Sequence, residues 1–559
     1  MDSMNLPPDI LLLLCEVLAA RHDFEVLFQC SLASRRLASI ALEQLYSVQE
    51  YSPASTGDAS NILGCARLWR SVILSSVGRT AYPYCAYVRA LSLGNLEECL
   101  HELARETAAR RFFFDGPMEQ FLVLRESYHH YKNTRKAAFL PIDFRGTMVK
   151  CADSITQYIK QLADDRGTAV ALAHLEGTFI PPELMPTWMT RLNTLTSLRI
   201  RDGSILGVEA ASAISECCPN FVDLTCYYYQ SSTADEDLAT FFRTLRPNSL
   251  RSFQIISQNG IGEQALTALN AHAASLKSLK LGSLPPQAMK SLNSLSGCTA
   301  LETLAIENDG HQKIDLKVFS QGMLRELSEW VSSCRSLREL SFTHVLNALP
   351  VVKEVLSTPG IRLTSLSVED FLSGTEVENA TTWSVLAFQD RLESLTLGLQ
   401  DAQVDSLAIP RIPQLGKAIC MLKNLTSLNL MQASVDYFHI KAFVDALPNL
   451  SELSFGGEFV DDEILGPLST IRHLKALSIN ASSRFGWVGL RDFAQNLNSP
   501  DHEGIRVDIL NQYGEYKFPE DQYNWLQKYF VDTLKGRLEI TYFMDPDELH
   551  EDDFSDYSD

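Results

Sequence analysis

Apolar residues recur along this chain in one six-residue spacing. A segment of the form Leu-x-x-Leu-x-Leu, with conservative replacements, begins at Leu195 (LTSLRI), Phe221 (FVDLTC), Leu250 (LRSFQI), Leu276 (LKSLKL), Leu301 (LETLAI) and Leu337 (LRELSF). It continues at Leu363 (LTSLSV), Leu392 (LESLTL), Leu425 (LTSLNL), Leu450 (LSELSF) and Leu474 (LKALSI), with weaker copies at Val88 (VRALSL) and Leu172 (LAHLEG). Most steps are 23 to 29 residues; those to Leu337 and Leu425 are longer and predict loop insertions.

The end of each segment alternates apolar and polar, so it predicts a short strand with one buried face. Stretches between the segments predict amphipathic helix. Over Val208 to Cys217, for example, Ala210, Ala211, Ile214 and Cys217 fall at helical spacing. One strand and one helix cannot bury their faces alone, whereas stacked copies can. The fold class that follows is α/β: a leucine-rich-repeat solenoid, a horseshoe with parallel strands on the concave face and helices outside. A doubly wound sheet also alternates strand and helix, but does not need the same leucine lattice in eleven successive strands.

The lattice fades between Leu93 and Leu172, where helices are predicted over Glu97 to Phe114, Met118 to Ala138 and Asp153 to Leu162. Beyond Leu474, final strands over Ile505 to Leu510 and Leu538 to Tyr542 would flank a helix over Glu520 to Leu534. The domain reading is a helical module over 4–48, a linker and junction helix over 49–84, and a solenoid over 85–544 with an irregular helical section at about 97–165. The last stretch, 545–559, holds eight acidic residues and no Lys or Arg, the composition of a disordered, solvated tail.

Ahead of the lattice, Leu6 to Ser47 predicts three short helices. Pro7 and Pro8 suit a first helical turn, and Asp9 suits its positive end. Ile10, Leu13, Leu14, Val17 and Leu18 make a broad apolar face; a second helix would run from about Phe24 to Leu32 and a third from about Ser34 to Tyr46. So small a bundle has a marginal core. Leu11, Leu12 and Leu14 leave apolar surface it cannot cover, which marks either a partner site or packing against the repeats.

Composition changes this picture little. The chain has 559 residues, 45% hydrophobic and 21% charged, as in soluble globular proteins. A net charge of -21 disfavours nucleic acid and anionic membrane as partners. Twelve scattered cysteines, without any Cys-x-x-Cys, read as small buried hydrophobes in a reducing compartment. The apolar run Ile10 to Ala20 lacks a basic flank and carries Glu16, so it reads as helix and not as a secretory signal. The expected location is cytoplasmic, nuclear or both.

The leading segment resembles an F-box. Leu6-Pro7 opens it, Asp9-Ile10 follows, Glu16-Val17-Leu18 closes the first helix, and Ser34-Arg35-Arg36-Leu37 sits in the third, all at the family's spacing. The departure is Leu32-Ala33-Ser34, where Leu-Val-Ser is commoner in the family. Leu68 to Leu93 also resembles the F-box-to-repeat junction of filamentous-fungal F-box proteins. The resemblance implies docking to the Skp adaptor, and through it to a cullin, with the repeats holding a protein substrate. By that analogy Leu6, Pro7, Ile10, Leu14, Leu18, Leu27 and Leu32 are the adaptor contacts; the sequence does not sort which face outward and which serve the module's own core.

Catalytic constellations are missing from the sequence. Gly416-Lys417-Ala418 fails the phosphate-loop pattern at its last position, and there is neither Gly-x-Ser-x-Gly nor His-Glu-x-x-His. His129 and His130 are adjacent and would point to different helix faces. No enzymatic role, cofactor or metal is expected. Strand parity places Ser197, Arg199, Arg201, Tyr227, Tyr229, Gln254 and Lys280 on the open face of early strands, and Glu307, Glu339, Glu369, Asn429 and Glu452 on later ones. Arg199, Arg201, Tyr227, Tyr229 and Lys280 are therefore candidate substrate contacts, the alternative being ordinary solvated strand faces. The leading function is substrate receptor of a Skp–cullin–F-box ubiquitin ligase. The competitors are a protein-binding scaffold without ubiquitin transfer and a GTPase-activating repeat protein.

Overall fold

The computed structural model describes residues 6–21, 23–47, 59–125, 141–308, 314–316, 321–369, 371, 375–398, 413–497, 500–512 and 516–543. The acidic stretch at 545–559 and the adjacent histidines at 129–130 lie outside these. The chain forms two compact units, Met1–Leu276 and Lys277–Asp559.

The first unit begins with α1 (Pro8–Ala20), α2 (Phe24–Ala33) and α3 (Arg35–Ser47). The Asp23 carboxylate accepts from the Val26 amide (3.3 Å) to cap α2, and the Ser34 hydroxyl accepts from the Leu37 amide (3.2 Å) to cap α3. The bundle core is Cys15, Ala19, Leu27 and Ala41, with Leu18, Cys30, Leu37, Ile40 and Leu45 packed around it. The inward stripe of α1 is thus Leu11, Cys15, Leu18 and Ala19, one position off the face expected from sequence. Ile10, Leu13, Leu14 and Val17 lie on the other side.

Next come α4 (Ala59–Ser75), α5 (Tyr84–Tyr87), α6 (Leu93–Arg105), α7 (Thr107–Phe114) and α8 (Phe144–Arg166). α3 joins this group through Tyr46, whose hydroxyl bonds Ser71 Oγ (2.7 Å) and whose ring stacks on Tyr84 at 4.8 Å. The helix expected over 97–114 is two helices, and the one expected over 153–162 is the longer α8. No α-helix forms over the described part of 118–138. Gly116–Phe121 is a 3-10 turn, and Leu124 bridges antiparallel to Ile142. The competing bonds explain it: the Val123 carbonyl accepts from the Asp143 amide (2.8 Å), and the Val123 amide donates to the Thr147 hydroxyl (3.1 Å). Backbone held by a neighbouring segment cannot also close helical turns.

The repeats of this unit supply β1 (Ala90–Ser92), β2 (His174–Gly177), β3 (Ser197–Asp202), β4 (Asp223–Tyr228) and β5 (Ser252–Ile255). They pair in parallel and in register, so Leu91, Leu175, Leu198, Leu224 and Phe253 stack as one buried column. The second unit supplies β6 (Ser278–Leu284), β7 (Thr303–Asn308), β8 (Ile314–Asp315), β9 (Glu339–Thr343), β10 (Val345–Leu346), β11 (Ser365–Glu369), β12 (Ser394–Gly398), β13 (Ser427–Ser434), β14 (Glu452–Asp461), β15 (Ala476–Arg484), β16 (Arg506–Gln512) and β17 (Arg537–Phe543). Within this unit Leu279, Leu304, Leu340, Leu366, Leu395, Leu428, Leu453, Leu477, Val507 and Leu538 stack residue on residue as a buried column of their own. β8 and β10 form a separate two-stranded parallel pair.

Burial along the strands alternates, as in β7 and β11, so helices cover only one sheet face. A doubly wound sheet is covered on both faces and reads apolar throughout. The architecture is therefore the α/β leucine-rich-repeat solenoid, with helical residues ahead of it. The backbone at the bends is satisfied by buried polar side chains. His272 Nδ1 accepts from the Leu250 amide (3.4 Å) while its Nε2 bonds the Phe242 carbonyl (3.0 Å). Gln389 accepts from the Leu363 amide (2.8 Å) and donates to the Leu356 carbonyl (3.3 Å). His502 Nε2 bonds the Ile471 carbonyl (2.9 Å). None of the described helices is long and apolar enough to cross a membrane. All twelve cysteines are free thiols, most of them buried.

Candidate binding surfaces

Two surfaces of the first unit remain open to partners, and each arises from a local surplus. On α1, eleven residues from Ile10 to Ala20 carry one charge, more apolar side chains than a three-helix core can enclose. The bundle takes one stripe inward. Leu6 (45% exposed), Ile10 (47%), Leu13 (55%) and Leu14 (46%) are left outside. α2 adds Phe24, Val26, Phe28 and Leu32, the last 66% exposed.

The seven residues that the F-box resemblance marks as adaptor contacts divide here. Leu6, Pro7, Ile10, Leu14 and Leu32 are exposed. Leu18 is half-buried against the bundle core. Leu27 is a correction: it is fully buried among Cys15, Ala19 and Ala41 and has no surface to offer. Its place on the inward face of α2 follows from packing against Cys15, Ala19 and Ala41, which local spacing does not encode. Leu13, Val17, Phe24, Val26 and Phe28 are exposed as well, outside the seven. α1 is apolar nearly all round, so its spacing could not say which stripe turned in.

The second surface is the open face of β1–β5. Ser92, Glu176, Arg199, Thr225 and Gln254 lie side by side across it. Arg199 and Arg201 are exposed, and neither makes an ion pair or side-chain hydrogen bond with another described residue. Glu176 is held by the nearly buried Ser92 hydroxyl, which donates to its Oε2 (3.1 Å). A hollow of about 170 Å³ opens between Ala90, Ser92, His174, Glu176 and Arg199. Asp223 sits beside it; burial raises its carboxyl above the usual range, opposed by Arg251 and His174.

Tyr227 is 37% exposed on this face, but Tyr229 is a second correction. Its side chain is 1% exposed, and its hydroxyl donates to Asp237 Oδ2 (3.2 Å). Strand parity stops at the end of β4, where the Tyr229 amide donates to the Gln258 carbonyl (3.1 Å) and the ring turns under Gly203. A β-carbon on Gly203 would lie 2.7 Å from that ring. Burial first, and Asp237 second, hold the phenol protonated. Lys280 belongs to the second unit, half-exposed on β6 beside Ala305.

The open face of the second unit is different in kind. Ala305, Ser341, Ser367, Thr396, Asn429, Ser454 and Ser478 align across β7–β15. Glu369 accepts from the His344 ring (3.0 Å) and amide (2.8 Å), and burial raises the Glu307 carboxyl nearby. Among the described residues, no group of three or more His, Cys, Asp or Glu side chains is gathered to hold a metal ion.

No known family model matches the sequence, and no curated protein sequence matches it either. Among solved structures, the chain is similar to an internalin of Listeria monocytogenes, with 17% identity over 56% of this chain and 76% of that one, at a TM-score of 0.32. It is similar to the leucine-rich-repeat-containing protein LegL7 of Legionella pneumophila, with 18% identity over 53% and 96% of the two chains, at a TM-score of 0.32. It is also similar to a chain of the yeast Rad7–Elc1 complex, with 17% identity over 58% and 83%, at a TM-score of 0.38.

Proposed function

We propose that this chain is a protein-binding scaffold that serves as the substrate-recognition subunit of a Skp–cullin–F-box ubiquitin ligase. The outer face of α1 and α2 docks the Skp adaptor, and the open sheet face holds a protein client. The supporting observation is the surplus of exposed apolar side chains on the leading helices, Leu6, Ile10, Leu13, Leu14, Phe28 and Leu32 among them. So many exposed apolar side chains within about forty residues mark a partner site, and they belong to the segment that resembles an F-box. Bond-making chemistry is not needed for this role, because a receptor contributes proximity.

The test is affinity purification from cells with the intact chain and with Ile10→Glu/Leu14→Glu. Both positions face solvent, so the variant keeps its fold, as a thermal melt would verify. The Skp adaptor and cullin should be recovered with the intact chain and lost with the variant, a drop of roughly a hundredfold or more in affinity for two buried charges. Equal recovery with both, or with neither, defeats the ligase reading. Adaptor capture without any client ubiquitination selects a scaffold without ubiquitin transfer.

A further inference from the structure

We infer that the open face of β3–β5 reads a short extended peptide bearing an acidic residue three positions before or after a bulky apolar one. This rests on the reading of the repeats as the client-holding part.

Register supplies the argument. Asp202 pairs with Tyr228, and Cys226 pairs with Ile255, so Arg201 of β3, Tyr227 of β4 and Ile256, one residue past β5, lie in one row; the Ile256 amide donates to the Cys226 carbonyl (3.0 Å) and holds it there. All three are exposed; Tyr227 and Ile256 are each 37% so. Arg199 stands one pleat away on the same face as Arg201, also without an ion-pair or hydrogen-bond partner among the described residues. The face therefore presents a cationic pole at β3 and an apolar pole at the end of β5. Neighbouring strands are about 4.8 Å apart, which puts the poles roughly 10 Å apart.

That separation selects a ligand geometry. In a polyproline-II segment, residues three apart point to the same side at roughly 9 Å. An acidic side chain over Arg199 and Arg201 then places its third neighbour over Ile256, with Tyr227 beneath the segment. A guanidinium pairs a carboxylate through two parallel hydrogen bonds, and a preformed extended segment loses little entropy on binding.

Glu176 and Asp223 flank the arginines on the same face, and the Ser92 bond holds the Glu176 carboxylate in place. Two acids beside two arginines repel a continuous polyanion but tolerate one carboxylate docked on the Arg199–Arg201 side. A peptide with a single acid fits; a nucleic-acid backbone, with a charge at every step, does not.

The experiment uses the full chain without adaptor and a fluorescein-labelled peptide with a single Glu-Pro-Pro-Leu segment between neutral flanks, read by anisotropy at low and physiological salt. Companion probes replace Glu by Lys, or Leu by Ser, and a labelled thymidine oligonucleotide serves as the polyanion. The intact chain should prefer the Glu probe. Arg199→Glu/Arg201→Glu should weaken it roughly tenfold or more and reverse the preference toward the Lys probe. Ile256→Ser should weaken the Glu-Pro-Pro-Leu probe while leaving the Leu-to-Ser probe unaffected, the signature of direct coupling. Three outcomes overturn the inference: no charge reversal, equal binding of the Glu and Lys probes by the intact chain, or arginine-dependent capture of the oligonucleotide in place of the peptide. Adaptor recovery plays no part in this readout, so the peptide site and the ligase reading stand or fall separately.

Discussion

At the scale of single residues, the least visible device is the set of buried polar side chains at the bends. His272 is fully buried, and its two ring nitrogens bond the Leu250 amide and the Phe242 carbonyl. The neutral ring protonated at Nε2 satisfies both. Protonating Nδ1 as well would abolish the first, and desolvation lowers the ring's pKa, opposed by the Phe242 bond. A base with a depressed folded-state pKa binds more protons when unfolded, so its contribution is present above about pH 6.5 and is lost as pH falls. Gln389 does the same work without titrating, since its amide accepts from Leu363 and donates to Leu356. His272→Gln should therefore lose less melting temperature than the parent between about pH 7.5 and pH 5.5. Thermal melts at the two pH values check this; an unchanged acid loss would remove His272 as its source. Nothing in the leucine lattice pointed to His272 or Gln389, because their partners are set by the turn geometry of neighbouring repeats.

At the scale of elements, helices were legible where apolar spacing was one-sided and ambiguous where it was not. The helix Val208–Cys217 lies where its spacing predicts. α1 is apolar nearly all round, so its existence was clear and its inward face was not. Only packing against α3 assigned Cys15 and Ala19 inward. Leu27 follows the same rule, and Leu27→Ala should cost about 2 to 5 kcal/mol of module stability through the cavity it leaves, whereas Leu13→Ala should cost little. Denaturant melts of the two variants make the comparison. Helix starts show a related tertiary effect. The Asp235 carboxylate accepts from the amides of Gly262 (2.8 Å), Gln264 (3.2 Å) and Ala265 (2.8 Å), so one repeat caps the helix Glu263–Ala268 of the next. Asp235→Ala should destabilise the first unit by about 1 to 2 kcal/mol, which chemical denaturation would register. Tyr229 shows the limit of strand parity: past the end of a strand the turn decides, so Tyr229, one residue beyond β4, turns inward while Ile256, one residue beyond β5, stays exposed.

At the scale of the whole molecule, stability is a sum of repeats and their interfaces. The stacked leucines make each repeat depend on its neighbours, and an uncovered end exposes unpaired strand groups together with apolar side chains. Removing the residues from Gly504 onward deletes β16 and β17 and uncovers Leu477 and Ile479 of β15, both buried in the intact chain. The shortened protein should melt at lower temperature and self-associate, as size-exclusion chromatography would show. A soluble monomer of unchanged melting temperature would contradict the repeat-to-repeat dependence. The net charge of -21 also belongs to this scale. Against that background, the exposed Arg199 and Arg201 are a local exception that only the side-by-side placement of strands makes into a surface.

Local spacing was enough for the repeat, the strand in each copy and the parity of its side chains, because a two-residue period needs no knowledge of neighbours. It was also enough to show that the first forty or so residues are helical and carry more apolar side chains than three short helices enclose. Tertiary structure alone decided which stripe of α1 turned inward, that Leu27 and Tyr229 are core, and that Arg201, Tyr227 and Ile256 share a row. Those outcomes depend on contacts between segments tens of residues apart, where helix rotation, turn geometry and strand register are set by packing and by backbone hydrogen bonds that local spacing does not encode.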